Sequence, residues 1–224
     1  MKYLEWDTKF FGRPSYLIEG REDILTIDSI GKSFITAKVD MGDVDFIFDL
    51  QKKGFVFIDV EVSLKFHIKY SEIINYCRNI DCVVKSVKVN TGLPYLELGS
   101  AFHLTRFHMD PNIASGKANE LWISYLRNFL PNENRKMYVT YLGEKAVGVI
   151  LSTRQEGIAV ISFMAVLPEY RGKGIGSQLI AYVVRDNNYE VITGTQSRNI
   201  PALNFYINNG FRIYKTKAVL HRWR

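Results

Sequence analysis

Three glycines at two-residue spacing, Gly172, Gly174 and Gly176, carry Arg171 before them and Lys173 among them, and no other stretch is so well suited to chemistry on an anion. Glycine permits left-handed backbone and leaves no Cβ between an N–H group and a ligand. The apolar run 158–167 stops at Pro168, and a helical pattern of Leu179, Ile180, Val183 and Val184 begins just past the cluster. The order is strand, tight loop, helix N-terminus. First-turn N–H groups have no intrahelical acceptor, and the helix dipole favours negative charge beside them. The expected guest is a pyrophosphate held mostly by main chain, with Arg171 and Lys173 adding positive charge. Two other phosphate loops do not fit. A Walker loop needs Lys and then Ser or Thr after its second glycine, but Gly174 is followed by Ile175 and Gly176. A dinucleotide fingerprint needs a third glycine where Ser177 stands.

A second constellation lies downstream, with Asn199, Pro201, Ala202, Phe205, Tyr206, Gly210 and Phe211. Asn199 can cap a helix, Pro201 suits its first turn, and Gly210 can take the left-handed position that ends it. Tyr206 falls on the apolar stripe with Ala202 and Leu203, where a core tyrosine is the plain reading. Val-x-Pro followed by Arg-x-x-Gly-x-Gly resembles motif A of the GCN5-related N-acetyltransferases (GNAT), and Asn-x-x-Ala-x-x-x-Tyr-x-x-x-Gly-Phe resembles motif B.

That resemblance implies acetyl-CoA as cosubstrate and no metal. It implies coenzyme contacts at Val166, Arg171, Gly172, Lys173, Gly174, Ile175, Gly176, Ser177, Asn199, Ala202 and Phe205. It also implies a catalytic Tyr206, whose hydroxyl stands near the thioester sulfur and protonates the departing thiolate. A phenol with a pKa of about 10 suits that task. A backbone N–H near Val166 is expected to hold the thioester carbonyl oxygen.

The elements that must position these residues read as one series. Segments 136–142 and 146–153 are expected strands joined at Gly143 and Glu144, and 158–166 is a third. Helix 175–185, strand 191–194, the Tyr206 helix and strands 211–214 and 217–222 follow. Upstream, 83–89 reads as a strand and 93–102 and 117–129 as helices. The expected fold is α/β (α+β), of the GNAT type, with a central mixed, mostly antiparallel sheet flanked by helices. Residues 81–224 make the complete acetyltransferase domain in this reading. Residues 1–80 make a smaller α/β lobe on the acceptor side. There, residues 45–59, an apolar helix followed by Gly54 and Phe55 and a strand, repeat the pattern around Tyr206 with Leu50 in its place. The lobe therefore reads as a degenerate half of the same fold.

Composition sets wider bounds. The chain has 224 residues, 47% hydrophobic and 13% aromatic, with a formal net charge of +6. The cations are scattered and no nucleic-acid motif appears, so no nucleic-acid partner is expected. A positive field would steer an anionic coenzyme and an anionic acceptor alike. Cys77 and Cys82 are too few for a disulfide framework or a zinc site. No signal-peptide core and no apolar run of membrane-spanning length is present, so the expected location is the cytoplasm.

The acceptor rests on two further segments. Trp6, Asp7, Phe10, Phe11 and Gly12 lie near the N-terminus, where an amphipathic strand or turn is expected. Arg106, Phe107, Asp110 and Pro111 form a loop between the two upstream helices, and Trp122 lies on the second of them. With the C-terminal aromatic strand ending at Trp223, these resemble the dTDP-fucosamine acetyltransferase group. The resemblance implies a nucleotide-linked 4-amino-4,6-dideoxyhexose, dTDP- or UDP-linked, as small-molecule acceptor for surface polysaccharide synthesis, bound by Arg106, Phe107 and Trp122. Two readings stand beside it: acetylation of a protein N-terminus or another small-molecule amine, and a non-catalytic acyl-CoA-binding module. Exposed C-terminal strands would permit a homodimer. The amine must lose a proton, but strand 158–166 carries only Ser162. Ordered water, His108 or Asp110 is the expected route.

Overall fold

The computed structural model describes residues 1–67, 82–89, 92–188 and 190–224; Cys77 and the division at residue 80 lie outside them. The chain opens with β1 (Lys2–Tyr3), α1 (Glu5–Phe11), β2 (Ser15–Ile18), β3 (Phe34–Asp40), α2 (Val44–Lys52) and β4 (Val56–Phe66). Then come β5 (Val83–Val87), α3 (Tyr95–Gly99), α4 (Arg106–Met109), α5 (Ser115–Arg127), β6 (Arg135–Leu142), β7 (Lys145–Gln155) and β8 (Ile158–Val166). The last elements are α6 (Ile175–Asp186), β9 (Val191–Gln196), α7 (Ile200–Asn208) and β10 (Phe211–Trp223).

Local chemistry explains several of these boundaries, including those that sequence patterning misplaces. The segment around Trp6 is a helix rather than a strand or turn, because Gly12 takes the left-handed conformation (φ 62°) that closes α1. Pro94 at the N-cap shortens the first upstream helix to Tyr95–Gly99. Arg106 opens a single helical turn, where a loop was expected. The two expected C-terminal strands are one, since a bulge at Tyr214 absorbs the break between Ile213 and Lys215.

Among the described residues the strands form one sheet in the order β1-β2-β3-β10-β4-β9-β8-β7-β6-β5. The pairs β2–β3 and β8–β9 are parallel and the other pairs antiparallel. From β1 to β7 this order is a palindrome about the β10–β4 pair. The unit β1-β2-β3-α2-β4 is matched by β7-β8-β9-α7-β10, and each unit's last strand lies against the other's. Asp43 and Asn199 cap α2 and α7 alike, each side chain accepting from the amide three residues on. The expected small lobe and the larger unit therefore share a sheet. β10 pairs with β4 from Phe211 to His221 and with β3 from Lys217 to Trp223, so its β3-side edge has no ladder partner over residues 211–216.

Alternation along the strands sends α2, α6 and α7 to one face and α1, α3, α4 and α5 to the other. Leu179, Ile180, Val183 and Val184 of α6 pack with Ile150, Ile161, Val62 and Tyr206. On that same face Phe46 and Leu50 of α2 cover Ile35, Ala37, Ala218 and Leu220. Across the sheet, Leu98 and Leu126 pack on Met137, Val149 and Phe163. A ring cluster of Trp6, Phe10, Phe11, Phe34, Phe107, Trp122 and Trp223 fills the corner under α1. Leu220 is fully buried between the two units. Leu220→Ala should lower unfolding stability by about 2–5 kcal/mol; a loss well under ~1 kcal/mol in denaturant titrations would show that the exchanged strand is not part of the cooperative core.

Candidate active site

The glycine loop forms as its composition requires. Strand β8 ends at Val166, Pro168 starts a single 3-10 turn, and Gly172 and Gly174 both have positive φ (72° and 81°). Gly174 is the N-cap of α6. The first helical bond runs from the Gln178 N–H to the Gly174 carbonyl (3.0 Å), which leaves the amides of Ile175, Gly176 and Ser177 to a ligand. Gly176 is glycine for a packing reason as well: a Cβ there would stand 2.9 Å from the Phe205 ring and 3.2 Å from Met164 Cε. This close approach seats α7 against the start of α6. Arg171 Nε donates to the Val166 carbonyl (3.0 Å), and the Lys173 ammonium lies 5.3 Å from the Tyr170 ring centre. The loop amides, the Arg171 side chain and, through Gly176 and Met164, the Phe205 ring thus lie beside the end of β8.

What opens the site is a failure of pairing. β8 and β9 are in register from Ala159–Val191 to Ile161–Thr193 and no further, although both strands continue. Ser162 is the extra residue of a bulge against β7 at this level. Leu167 donates its N–H to the Val147 carbonyl (2.9 Å), so by antiparallel alternation the amides of Val166 and Met164 point away from β7 into the opening. Tyr206 reaches the same place from α7. Its hydroxyl is 3.8 Å from Met164 Sδ, and the residue is only 7% exposed. Burial pushes its phenol above the ordinary value, against a contact with Thr193, so it holds its proton at neutral pH. Asn199 caps α7, accepting from the Ala202 N–H (3.3 Å), and donates to Thr195 Oγ1 (3.1 Å), which ties the helix to β9.

On the opposite face of the sheet lies a cluster of charged and polar groups. Arg106 Nη1 donates to Thr36 Oγ1 (3.0 Å) and lies 3.4 Å from His221 Nε2, with its guanidinium 4.3 Å from the Phe107 ring centre. No carboxylate among the described residues forms an ion pair with it. His221 Nδ1 and Trp223 Nε1 both bond Asp110 Oδ2 (2.7 and 2.8 Å). Burial, joined by the charge of Arg106, pushes His221 down to about 4 despite Asp110. The neutral ring gives its Nδ1 proton to Asp110 and accepts from Arg106 at Nε2. Two residues along β3, Lys38 is ion-paired with Glu61 of β4, and Asp7 of α1 faces both Lys38 and Arg106.

The expected acceptor residues do come together here, in different settings. Arg106 is half-buried, Phe107 is buried beneath it, and Trp122 stacks on Phe102 (4.8 Å) while donating to Thr105 Oγ1 (3.3 Å). His108 is held between Thr105 Oγ1 (2.8 Å) and Asn119 Oδ1 (2.9 Å), so it and Asp110 both have structural partners. Sequence patterning missed Lys38, Glu61, Thr36 and His221. The available signal was a charge inside an otherwise apolar strand, Lys38 between Ala37 and Val39 and Glu61 between Val60 and Val62.

A model of the acetyltransferase (GNAT) domain matches residues 133–213. The chain is similar to the spore coat polysaccharide biosynthesis protein SpsD of Bacillus subtilis (strain 168), with 25% identity over 127 residues, 55% of this chain and 44% of that protein. It is also similar to streptothricin acetyltransferase A of the same strain, with 27% identity over 99 residues, 42% of this chain and 57% of that one. The matches span about half the length of these relatives. In fold it is similar to a functionally unknown conserved protein from Staphylococcus epidermidis ATCC 12228, at 18% identity and a TM-score of 0.64 over 95% of this chain and 84% of that one. Because the matched stretch holds both the glycine loop and the helix of Tyr206, residues 133–213 are an acetyltransferase domain of the GNAT superfamily, whose members draw their acyl group from acetyl-CoA.

Proposed function

We propose that the chain moves an acetyl group from acetyl-CoA to the amino group of a nucleotide-linked 4-amino-4,6-dideoxyhexose, dTDP- or UDP-linked, in the cytoplasm, for a surface polysaccharide. The observation that carries the acceptor class is Arg106, a half-buried guanidinium bonded to two neutral partners; Asp7, Glu61 and Asp110 act on it from a distance, but among the described residues none forms an ion pair with it. Such a cation favours an acceptor bearing a phosphate. The printed name of the SpsD relative supports polysaccharide chemistry. A second reading, another small-molecule amine, is favoured by the likeness to streptothricin acetyltransferase A. In both readings residues 1–80 serve as the acceptor-side lobe and residues 81–224 as the acetyltransferase unit.

The mechanism in this reading is direct transfer. The pyrophosphate of the coenzyme sits on the amides of 174–177 with Gly172, Arg171 and Lys173 around it, and Ala202, Phe205 and Asn199 line the arm. The thioester enters the opening between β8 and β9, where the Val166 amide polarises its carbonyl oxygen. The acceptor approaches across the sheet, its anionic part on Arg106 over Phe107, with Trp122 shaping the wall. Its amine nitrogen bonds the carbonyl carbon, the C–S bond breaks, and Tyr206 gives its proton to the thiolate. Cys82 takes no part: it is buried, with its Sγ on Gln178 Oε1 (2.5 Å).

Tyr206→Phe should lower kcat by roughly 100-fold or more with the KM for acetyl-CoA nearly unchanged. A kcat within about threefold of wild type in a thiol-release assay would remove Tyr206 from the acid role. Arg106→Gln should raise the KM for dTDP-4-amino-4,6-dideoxygalactose roughly 10- to 100-fold, the value of a charge-assisted bond, and leave acetyl-CoA affinity alone. An unchanged acceptor KM would separate Arg106 from the acceptor.

A further inference from the structure

The proton acceptor for the incoming amine is unassigned, and the inference here rests on the acyl-transfer reading of the β8–β9 opening. An amine reaches a neutral-pH site as ammonium and must lose a proton before its lone pair can attack. Ser162 on β8 is held by the Tyr125 hydroxyl (3.0 Å). His108 is held by Thr105 and by Asn119 of α5, and Asp110 by His221 of β10. Glu61 is different. It belongs to β4, which lies directly against β9, and its register partner is Gln196. Its side chain leans back over Gly194: a Cβ on that glycine would be 3.8 Å from Glu61 Cγ and 3.9 Å from its Cδ. Gly194 is the first residue of β9 past Thr193, where pairing with β8 ends. The carboxyl group therefore stands at the mouth of the opening, on the face from which the acceptor arrives, with no β9 side chain in between.

We propose that Glu61 is the general base, receiving the acceptor ammonium and taking one of its protons. The freed lone pair forms the N–C bond as the C–S bond breaks. The thiolate takes the Tyr206 proton, the second nitrogen proton replaces it on Tyr206, and the proton on Glu61 leaves to solvent with the product. One ammonium and one thioester give one amide, one thiol and one proton. Lys38, reaching over from β3, orients the carboxylate. Arg106 and Lys217 add positive charge around it, and Asp7 faces Arg106 and Lys38 from α1. Burial alone would raise the Glu61 carboxyl, but Lys38 together with Arg106 and Lys217 outweighs it and holds the group below its ordinary value, so the base form is present throughout the neutral range. The groups are arranged for an acceptor with an ammonium at one end and an anion at the other.

The test compares wild type with Glu61→Gln and Glu61→Asp in the full chain. The acceptors are dTDP- and UDP-4-amino-4,6-dideoxyhexoses, streptothricin and a peptide with a free N-terminus. Calorimetry checks that acetyl-CoA binding is intact. On whichever amine wild type acetylates, Glu61→Gln should lose about 100-fold in kcat at neutral pH. The deficit should shrink as alkaline solvent deprotonates the amine, and Glu61→Asp should recover part of it. A Glu61→Gln rate within about threefold of wild type overturns the proposal, as does a loss that stays constant into alkaline pH. If only a non-sugar amine is acetylated and Glu61→Gln still shows the pH-dependent loss, the sugar assignment falls and Glu61 stands. A wild-type chain that acetylates none of these amines overturns both.

Discussion

The site depends on two parallel strands that stay bonded only to the level of Ile161 and Thr193. Adjacent strands twist relative to one another, and a bulge sharpens the twist on the strand that carries it. Ser162 supplies that bulge at the level where pairing ends. Beyond it, the amides of Met164 and Val166 lie at an inner edge of the sheet with no strand to take them. Buried backbone groups need partners, and an acyl-CoA arm, itself built with amides and a thioester, is the kind of ligand that supplies them. The glycine loop follows from the same divergence, since the end of β8 must turn at once into α6 so that the first-turn amides stand beside the opening.

Opening the sheet on one side of β9 puts demands on its other side. β4 meets that demand by pairing with β9 through residues 61–65 and with β10 along its whole length. The strand exchange thereby joins the two sequence segments more firmly than a packed interface would, since each last strand is bonded into the other unit. It also has a chemical consequence. A strand from the N-terminal segment runs past the active site and brings Glu61 with it, while β3 brings Lys38 and Thr36. The second unit supplies the glycine loop and Tyr206, while Asp7, Lys38 and Glu61 come from the first and meet Arg106 of α4 and Lys217 of β10.

Legibility from sequence follows the same division. The glycine loop and the capped helix of Tyr206 were readable because their requirements are local: positive φ at Gly172 and Gly174, a side-chain cap at Asn199, and a left-handed stop at Gly210. The helix–glycine–strand pattern around Gly54 was readable for the same reason. The ladder order was not, because pairing β10 between β3 and β4 joins residues more than a hundred positions apart and leaves no local mark. Lys38 and Glu61 were missed on that account: each looks like an isolated charge in an apolar strand until the ladder brings them together across β10. α1 was misread because a short helix ended by a single glycine has too few turns to show a period. His108 and Asp110 looked chemically free in one dimension and prove to be held by Asn119, His221 and Trp223.

The electrostatics of the charged cluster bear on which amines can fit it. A half-buried guanidinium gives up several kcal/mol of hydration. Thr36 and the neutral His221 return only the modest value of ordinary hydrogen bonds. A carboxylate or phosphate at about 4 Å would return roughly 4 kcal/mol at the effective dielectric of such a site. Had His221 been protonated, the same pocket would repel its neighbour Arg106. Burial prevents this and leaves Nε2 as an acceptor that holds the guanidinium in place. A polycationic acceptor would meet Arg106, Lys38 and Lys217, with Glu61, Asp7 and Asp110 the carboxylates that act on them. On the proposed roles, an acceptor with a single ammonium and a phosphate would satisfy both ends, the ammonium against Glu61 and the phosphate against Arg106. In the proposed reading, the separation of these two charges along the sheet, from the opening at Gly194 to Thr36 on β3, is the dimension that would select the substrate.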